Sequence, residues 1–347
     1  IYLTAAVPIE QGAEKDRDLT ALCIDAARGK TLWSTTVFEQ RGDAPGIHTK
    51  NSHASATPVA ADDRLYVHFG HQGTACVNLQ GDVLWRSQAV QYRPVHGNGG
   101  SPIVVGDLLV FSADGAGEQR VIALQRATGE IAWQTRRDVE RPKKFAFSTP
   151  LAIEVEGRTQ IVSPGAGMAG GYDAATGEEI WRVDYDGYSV VPRPIMHHGM
   201  VFLSSSFDAP SVLAIRPTGH GNVTESHVAW RLSRGAPHTP SLAAEGDLLY
   251  MVSDRGVATC VNADDGQVRW QERLGGSYSA SPLLAHGKVY FQSEDGVGVV
   301  VAAGEKFEEL ARNELGERTL ASLAVDGASL IIRGEKHLFR IAAPSAR

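Results

Sequence analysis

The sequence predicts an all-β protein, an eight-bladed β-propeller whose blades are four-stranded antiparallel sheets. Three observations predict it: short apolar strands between turn residues, a recurring hairpin that ends in tryptophan, and a Ser/Thr-Pro step that opens each repeat. Strands rich in Val, Leu, Ile, Tyr and Phe, without a convincing helical pattern, indicate all-β structure. Four strands in each unit of about 40–50 residues are typical of propeller blades.

The clearest copy of the hairpin is Tyr172–Trp181, YDAATGEEIW, in which a turn at Thr176-Gly177 joins two strands. All six tryptophans of the chain end a copy of this phrase: Trp33, Trp85, Trp133, Trp181, Trp230 and Trp270. A buried Trp removes roughly 150–250 Å² from water, so it can dock one repeat on its neighbour. We therefore expect the six indoles to fill equivalent sites between blades.

Each repeat begins with a Ser/Thr-Pro step or a variant of it. The steps are Thr57-Pro58, Ser101-Pro102, Thr149-Pro150, Arg193-Pro194, Thr239-Pro240, Ser281-Pro282 and Ala321-Ser322. Two apolar strands follow each step, a third leads into the hairpin, and the Trp strand is the fourth. The tryptophans are 52, 48, 48, 49 and 40 residues apart, and 40 more residues lead to Leu310, which we expect at the Trp position of a degenerate repeat.

The two ends of the chain lack complementary strands. The chain opens with strands two to four of a blade, and it closes with strands one to three. Six strands are too many for one blade, so we count eight blades. We expect the missing strands upstream of Ile1, in a longer natural chain that forms a single propeller domain over residues 1–347.

The composition is ordinary for a soluble globular protein, with 43% hydrophobic and 21% charged residues. The formal net charge of −7 does not favour a nucleic-acid partner. No apolar run approaches the roughly 20 residues of a membrane span. We expect a monomer without either interaction.

Cys23, Cys76 and Cys260 lie nine or ten residues before a hairpin Trp, so they occupy one position in three repeats. We interpret them as small buried hydrophobic residues.

Gly165–Gly170 matches GxGxxG but precedes a strand, so we predict a glycine-rich hairpin and no dinucleotide site. His197 and His198 are adjacent, and in a strand they would point to opposite faces, which makes a poor metal pair. The sequence predicts no catalytic and no metal-ligating residues.

The segments before the Ser/Thr-Pro steps carry an excess of positive charge. In a propeller each of them ends near the central channel, and the residues that we select as candidates for ligand binding there are His53, His96, Lys144, Tyr188, Arg193, His238, Tyr278 and Arg318. Positive side chains that converge favour a bound anion. The sequence therefore predicts a small carboxylate, phosphate or acidic glycan in this funnel, and a solvated face without a ligand is the alternative.

Blades punctuated by Pro and Trp, with endings of the form DAxTGxxxW, resemble the repeats of the pyrroloquinoline-quinone (PQQ)-like propeller family in the quinoprotein alcohol dehydrogenase-like superfamily. The resemblance covers essentially the whole chain, and segments such as HTKNSHASATPV and GERTLAS look like one bacterial branch of the family. That branch is similar in architecture to the propeller lipoprotein of the outer-membrane assembly machinery. The resemblance implies export to the periplasm or cell envelope, with other envelope proteins as partners.

The dehydrogenases of this family stack PQQ between a tryptophan and two adjacent, disulfide-bonded cysteines, and they bind calcium through Glu, Asn and Asp. Here no two cysteines are adjacent, and every Trp is assigned to docking. We therefore expect no cofactor and a non-enzymatic binding or scaffold protein. A PQQ- and calcium-dependent alcohol dehydrogenase is the alternative, and a sensor module for a signalling partner is a third.

Overall fold

The computed structural model describes residues 1–10, 12–42 and 44–342. Within these residues the chain forms 31 β-strands in eight sheets, which confirms the predicted eight-bladed β-propeller. Helical structure in the same residues is limited to a 3₁₀ turn, Gly70–Gln72, and one short helix, α1 (Thr224–His227). We call the sheets blades and number them along the chain.

Blades 1 to 4 contain the first fifteen strands. Blade 1 consists of β1 (Tyr2–Pro8), β2 (Arg17–Ile24) and β3 (Thr31–Gln40). Blade 2 consists of β4 (Val59–Ala61), β5 (Arg64–His68), β6 (Thr74–Asn78) and β7 (Val83–Ser87). Blade 3 consists of β8 (Ile103–Val105), β9 (Leu108–Asp114), β10 (Gln119–Gln125) and β11 (Ile131–Arg136). Blade 4 consists of β12 (Leu151–Val155), β13 (Arg158–Gly165), β14 (Met168–Asp173) and β15 (Glu179–Asp184).

Blades 5 to 8 contain all but one of the remaining strands. Blade 5 consists of β16 (Ile195–His197), β17 (Met200–Ser204) and β18 (Val212–Ile215), and after the short β19 (Gly221–Asn222) it is completed by β20 (Val228–Leu232). Blade 6 consists of β21 (Ala243–Glu245), β22 (Leu248–Val252), β23 (Val257–Asn262) and β24 (Val268–Arg273). Blade 7 consists of β25 (Leu283–Ala285), β26 (Lys288–Gln292), β27 (Val297–Ala302) and β28 (Glu309–Glu314). Blade 8 consists of β29 (Ala324–Asp326), β30 (Ser329–Arg333) and β31 (Leu338–Ala342), and β19 pairs in parallel with β15 of blade 4.

The chain divides into two compact units. Unit 1 is Ile1–Asp184 with His220–Asn222, and unit 2 is Tyr185–Gly219 with Val223–Arg347. Within each unit the apolar core lies between consecutive blades: Leu19 of blade 1 packs with Leu65 of blade 2, and Tyr250 of blade 6 with Phe291 of blade 7. The single domain inferred from the sequence stays a prediction.

Five of the six tryptophans reach the next blade. The indole Nε1 of each donates a hydrogen bond of 2.8–3.1 Å to a backbone carbonyl there: Trp33 to Leu79, Trp85 to Arg126, Trp133 to Ala174, Trp230 to Ala263 and Trp270 to Gly304. The residue paired with each on the third strand is Cys23, Cys76, Ala123, Ala214 and Cys260, respectively. The side chains of these five paired residues occupy the space over the tryptophan's own blade, and each indole lies towards the next blade instead.

Trp181 differs from the other five, although it occupies the same strand position. Its Nε1 donates to Gln160 Oε1 of its own blade at 2.8 Å. The paired residue is Gly171, and a Cβ at that position would lie 2.2 Å from Trp181 Cε2. The indole therefore lies over its own sheet, where the absence of a side chain leaves room, and the expected equivalence of all six sites does not hold for Trp181.

The seventh repeat differs from the sequence prediction by one residue. Val300, which corresponds to Cys260 of blade 6, pairs with Ala311, and a bulge follows before Val301 pairs with Glu309. Ala311 thus takes the Trp position, and Leu310 is the bulged neighbour. This explains why Leu310 is 44% exposed.

The Ser and Thr residues of the repeat openings form hydrogen bonds between consecutive blades. Two residues before the first strand, a backbone N–H donates to the hydroxyl of the equivalent residue in the next blade. In unit 1 the pairs are Thr57 to Ser101 and Ser101 to Thr149, and in unit 2 they are Arg193 to Ser241, Ser241 to Ser281 and Ser281 to Ser322, all at 2.8–3.0 Å. In blade 6 the equivalent residue is therefore Ser241 and not Thr239, as the sequence pattern had indicated.

Candidate functional site

The candidate residues lie in links, which we define as the segments between the fourth strand of one blade and the first strand of the next. Link 1–2 is 41–58, link 2–3 is 88–102, link 3–4 is 137–150, link 4–5 is 185–194, link 5–6 is 233–242, link 6–7 is 274–282 and link 7–8 is 315–323. Because antiparallel strands alternate in direction, each link begins at the same end of its sheet as the hairpin between the second and third strands. Links and these hairpins therefore supply the side chains at one end of each blade.

Three successive links of unit 1 meet at His96. The His96 carbonyl accepts hydrogen bonds from the backbone N–H of His48 at 3.2 Å and from Asn51 Nδ2 at 2.8 Å. The His96 ring lies edge-on to His48, with centroids 5.7 Å apart, and to Phe145, at 5.4 Å. His96 has φ 65°, a left-handed conformation that these contacts hold in place.

His53 and Lys144, the other unit 1 candidates, are half-buried in links 1–2 and 3–4. Partial burial lowers the pKa of His53, and the positive charge of Arg17 lowers it further. His53 is therefore less readily protonated than an exposed histidine. The described contacts join neither residue to His96.

Phe207 joins two candidates of unit 2. It lies in the hairpin between β17 and β18, and its ring is 6.5 Å from Tyr188 and 4.8 Å from His238, centroid to centroid. Tyr188 and Phe207 also form an isolated β-bridge. Sequence reasoning missed Phe207 because it considered only the links. The unusual length of the polar hairpin 205–211, with an aromatic residue in it, was the available signal.

None of the six cationic candidates forms an ion pair with an acid in the described part of the chain. Glu317, next to Arg318, instead accepts hydrogen bonds from the backbone and the ring of His337, which lower the pKa of Glu317 to about 2. Arg193 and Arg318 are exposed. Partial desolvation lowers the pKa of Arg193, which indicates that protein surrounds this side chain even though solvent reaches it.

Tyr278 is wrongly placed among the ligand-binding residues. It is 1% exposed and belongs to the apolar core between blades 6 and 7. Burial raises the pKa of Tyr278 to about 12. An aromatic residue in a link is as readily part of the core as of a surface, and the link sequence does not distinguish the two.

The predicted glycine-rich hairpin is confirmed, because Gly165 pairs with Met168 across a turn in which Gly167 has φ 81°. The expectation that His197 and His198 point to opposite faces is wrong. His198 lies in the turn after β16 with φ 46°, so its ring stacks on that of His197 with centroids 4.2 Å apart. His198 Nδ1 lies 3.2 Å from Asp264 Oδ1, and the described residues contain no group of three or more His, Cys, Asp or Glu that could hold a metal ion.

The residues that PQQ would require do not match the residues present. The three cysteines are free and buried in different blades, and burial raises the pKa of Cys76 to about 11 and that of Cys260 to about 12. The indole N–H groups of all six tryptophans are engaged within the blades, as described above.

Comparison with known proteins identifies the fold and the family. A profile of the family described as outer membrane protein assembly factor BamB matches residues 15–136, 117–224 and 222–337. BamB from Moraxella catarrhalis superposes with a TM-score of 0.68 at 12% identity, over 100% of this chain and 99% of that chain. The computationally designed Ika8 protein gives 0.67 at 10% identity, over 97% and 95%. A europium-containing methanol dehydrogenase gives 0.65 at 12% identity, over 95% and 80%.

At these identities the solved structures show a shared fold, and no curated protein sequence matches the chain. In the described residues no helix has the length and apolar character needed to cross a membrane. The profile matches overlap and together span residues 15–337. The chain therefore belongs to the BamB family of PQQ-like β-propellers.

Proposed function

We propose that this protein is a non-enzymatic binding or scaffold protein of the cell envelope that holds a small anionic ligand at the links of unit 1. The observation that carries the proposal is the meeting of three links at His96, in segments rich in positive side chains. Lys144 and His53 lie in two of these links without an acidic partner among the described residues. Phe145 adds an aromatic face next to His96.

The chemistry of these side chains favours a carboxylate, a phosphate or an acidic glycan. Lysine and protonated histidine form charge-assisted hydrogen bonds with such groups, and these bonds are stronger than neutral ones. A bound anion would also offset the repulsion between neighbouring positive groups. Because partial burial lowers the pKa of His53, an anion would have to raise it again, so binding should strengthen as the pH falls below about 6.5.

The proposed location in the cell envelope is supported by the family to which the chain belongs and by its structural similarity to BamB. The name of that neighbour ties it to outer-membrane protein assembly. We propose export of this chain to the periplasm or envelope, with other envelope proteins as partners. We propose that the protein functions as a monomer.

Isothermal titration with inorganic phosphate, citrate and an oligouronate tests the ligand class. The double variant His96→Ala/Lys144→Ala should lose at least tenfold in affinity, and the affinity of the unchanged protein should fall with salt, which screens exposed charges beyond about 8 Å at physiological ionic strength. Lys30→Ala removes an exposed lysine from the β2–β3 hairpin, at the other end of blade 1, and serves as the matched control. Absence of binding by all three anions, or an equal loss in the control, would contradict the proposal.

Arg193→Ala/Arg318→Ala removes the exposed arginines of unit 2 and is measured separately. If this variant loses the affinity while the unit 1 variant keeps it, the ligand binds at the links of unit 2 and the assignment to His96 is wrong.

The alternative function is that of a quinoprotein alcohol dehydrogenase. The observation that favours it is the fold that this chain shares with the europium-containing methanol dehydrogenase. Titration with PQQ and calcium, followed by dye reduction with simple alcohols, decides between the two. We expect no micromolar binding and no turnover. Binding together with turnover would establish the dehydrogenase.

A further inference from the structure

The strand that carries the hairpin tryptophan lies at the outer edge of its blade, and in blade 4 this edge is covered by another segment of the chain. β19 pairs in parallel with β15, so that Gly221 lies opposite Trp181 and Asn222 opposite Arg182. Asn222 Nδ2 also donates to Asp184 Oδ2 at 2.6 Å. The protein therefore contains one example of a short extended segment that adds to the outer edge of a blade.

The outer edge of blade 1 has the same form but no covering strand in the described part of the chain. Trp33 lies in β3, and β3 ends the sheet order β1-β2-β3. In β3 and in β15 a bulge precedes the tryptophan, and the bulged residue is Leu32 in β3 and Ile180 in β15. Leu32 is 63% exposed, whereas Ile180, next to the residues that pair with β19, is 8% exposed. An apolar residue at the bulge is thus buried in the blade that has a covering strand.

The bulge positions of two other blades agree with this reading. Leu84 of blade 2 and Leu310 of blade 7 are 49% and 44% exposed, and β7 and β28 end their sheets as β3 does in the residues that the structure describes. Leu32 is the most exposed of the three leucines.

β3 also differs from the other outer strands in charge. Each of the other six contains an arginine: Arg86 in β7, Arg136 in β11, Arg182 in β15, Arg231 in β20, Arg269 in β24 and Arg312 in β28. Charged side chains on an edge discourage pairing with a foreign strand. β3 has no charged residue between Thr31 and Phe38, and most residues of this segment are β-branched or aromatic, which favours a strand. The edge of blade 1 therefore lacks the protection that the other edges have.

The open part of this edge is the middle of β3. Val37 forms a second bulge, and its carbonyl accepts a hydrogen bond from Arg86 Nε of blade 2 at 2.7 Å. Between the two bulges, residues 33–36 pair regularly with β2, and Ser34 and Thr36 are exposed. This stretch begins at the tryptophan, as does the stretch of β15 on which β19 lies.

We propose that the outer edge of β3 is a docking site for an extended segment of a partner protein, which adds to blade 1 as a parallel strand next to residues 33–36. Main-chain hydrogen bonds supply the affinity in such strand addition, and alternate side chains supply the specificity. The segment is uncharged, because a charge next to Leu32 would lose its water without gaining a partner. One of its apolar side chains covers Leu32. No group of the protein has to move, since the edge is already exposed.

The segment should also carry a side-chain amide. Thr36 lies three residues after Trp33, as Asp184 lies three residues after Trp181, so its hydroxyl oxygen can accept from an Asn or Gln where Asp184 accepts from Asn222. The docking site does not depend on the proposed anion site, because it lies on a strand edge and its test contains no anionic ligand.

The peptide acetyl-Val-Gly-Asn-Val-Thr-Val-amide is the probe, since it keeps the Gly-Asn-Val of β19 and the residue after it. Fluorescence anisotropy of the dye-labelled peptide, titrated with the full chain, measures its affinity. Ser34→Lys should weaken binding by at least about tenfold, which corresponds to the loss of about one or two main-chain hydrogen bonds. The variant should fold, because arginine occupies this position in β7, β15 and β20.

Gln134→Lys is the matched control. Gln134 is exposed and follows Trp133 in β11 as Ser34 follows Trp33 in β3, so this variant should leave the affinity unchanged. The bound peptide should slow amide hydrogen exchange within residues 33–36 and leave residues 133–136 unaffected. Absence of binding up to about 1 mM protein, an equal loss in the two variants, or slowed exchange in both segments would overturn the proposal.

Sedimentation of the unchanged protein without peptide tests whether a second copy of the chain is the occupant. A monomer that binds the peptide supports a foreign segment. A dimer that Ser34→Lys dissociates would show that the edge pairs with a second copy, and it would overturn the assignment to a partner protein.

Discussion

At the residue scale, a glycine in the tryptophan hairpin of one blade lies directly against the indole of the blade before it. A Cβ at Gly177 would lie 2.4 Å from Trp133 Cε3, and this glycine has φ 75°. Gly81, Gly129 and Gly266 make the same approach to Trp33, Trp85 and Trp230. The residue is therefore glycine for two reasons, its left-handed backbone and the ring that packs on it.

Gly177→Ala tests the second reason. We expect it to lower the free energy of unfolding by about 2–4 kcal/mol, since it adds overpacking against Trp133 to the strain of a positive φ. Gly157→Ala is the matched control in the same blade, because Gly157 has φ 77° and no atom within 4 Å of its added Cβ. Urea unfolding of the two variants separates packing from backbone strain. Equal losses would show that the indole accommodates the methyl group.

At the scale of the element, the hydroxyl contacts before the first strands set the position of each blade relative to the next one within a unit. Ser101 takes part twice, as its hydroxyl accepts the Thr57 N–H at 2.8 Å and its N–H donates to Thr149 Oγ1 at 2.9 Å. Proline follows the residue in both of these blades and in blade 4, where it holds the backbone extended before the first strand.

Ser101→Ala removes the acceptor and keeps the donor. The expected loss of stability is about 0.5–1.5 kcal/mol, the range for one hydrogen bond, and towards its lower end because the bond from the Thr57 N–H to Ser101 Oγ is exposed. Ser101→Thr should restore the contact, as threonine makes it at position 149. Ser34→Ala, at an exposed position of β3, should change the stability by less than about 0.5 kcal/mol. If Ser101→Ala behaves like Ser34→Ala in thermal unfolding, the contact does not contribute to stability.

At the scale of the whole molecule, stability should respond to pH in two opposing ways. Hydrogen bonds lower the pKa of Glu317, so its contribution is present above pH 4.5 and is lost as the pH falls towards 2. Asp114 acts in the opposite sense. Its pKa is raised from 3.8 to about 6 on folding, so its favourable contribution is present below pH 3.8 and is lost as the pH rises through 6.

The comparison of Asp114→Asn with the unchanged protein isolates the second effect. Between pH 4 and pH 7 the unchanged protein should lose roughly 2 kcal/mol relative to the variant, because most of a shift of about two pKa units at 1.36 kcal/mol each falls in this range. Urea unfolding at pH 4, 5, 6 and 7 measures the difference. A difference that does not vary with pH would show that the folded state leaves the carboxyl pKa of Asp114 unchanged.

The sequence by itself determined the number of blades, the order of strands and the placement of the hairpin tryptophans on fourth strands. These features are repeated, and a repeat states each local preference several times, so that Pro, Gly and Trp mark the same positions in successive units. The equivalence of Cys23, Cys76 and Cys260 followed from the same spacing, and each does pair with a tryptophan.

Only the tertiary structure decided where individual side chains go. Trp181 lies over its own blade because Gly171 leaves space, and Tyr278 enters the core although its link is polar in sequence. Asp114, Arg137 and Ser163 come from three separate strands and links, and no spacing along the chain relates them. Burial, which removes water from Asp114 and raises its pKa, is a property of all the neighbours together and has no signature in the local sequence.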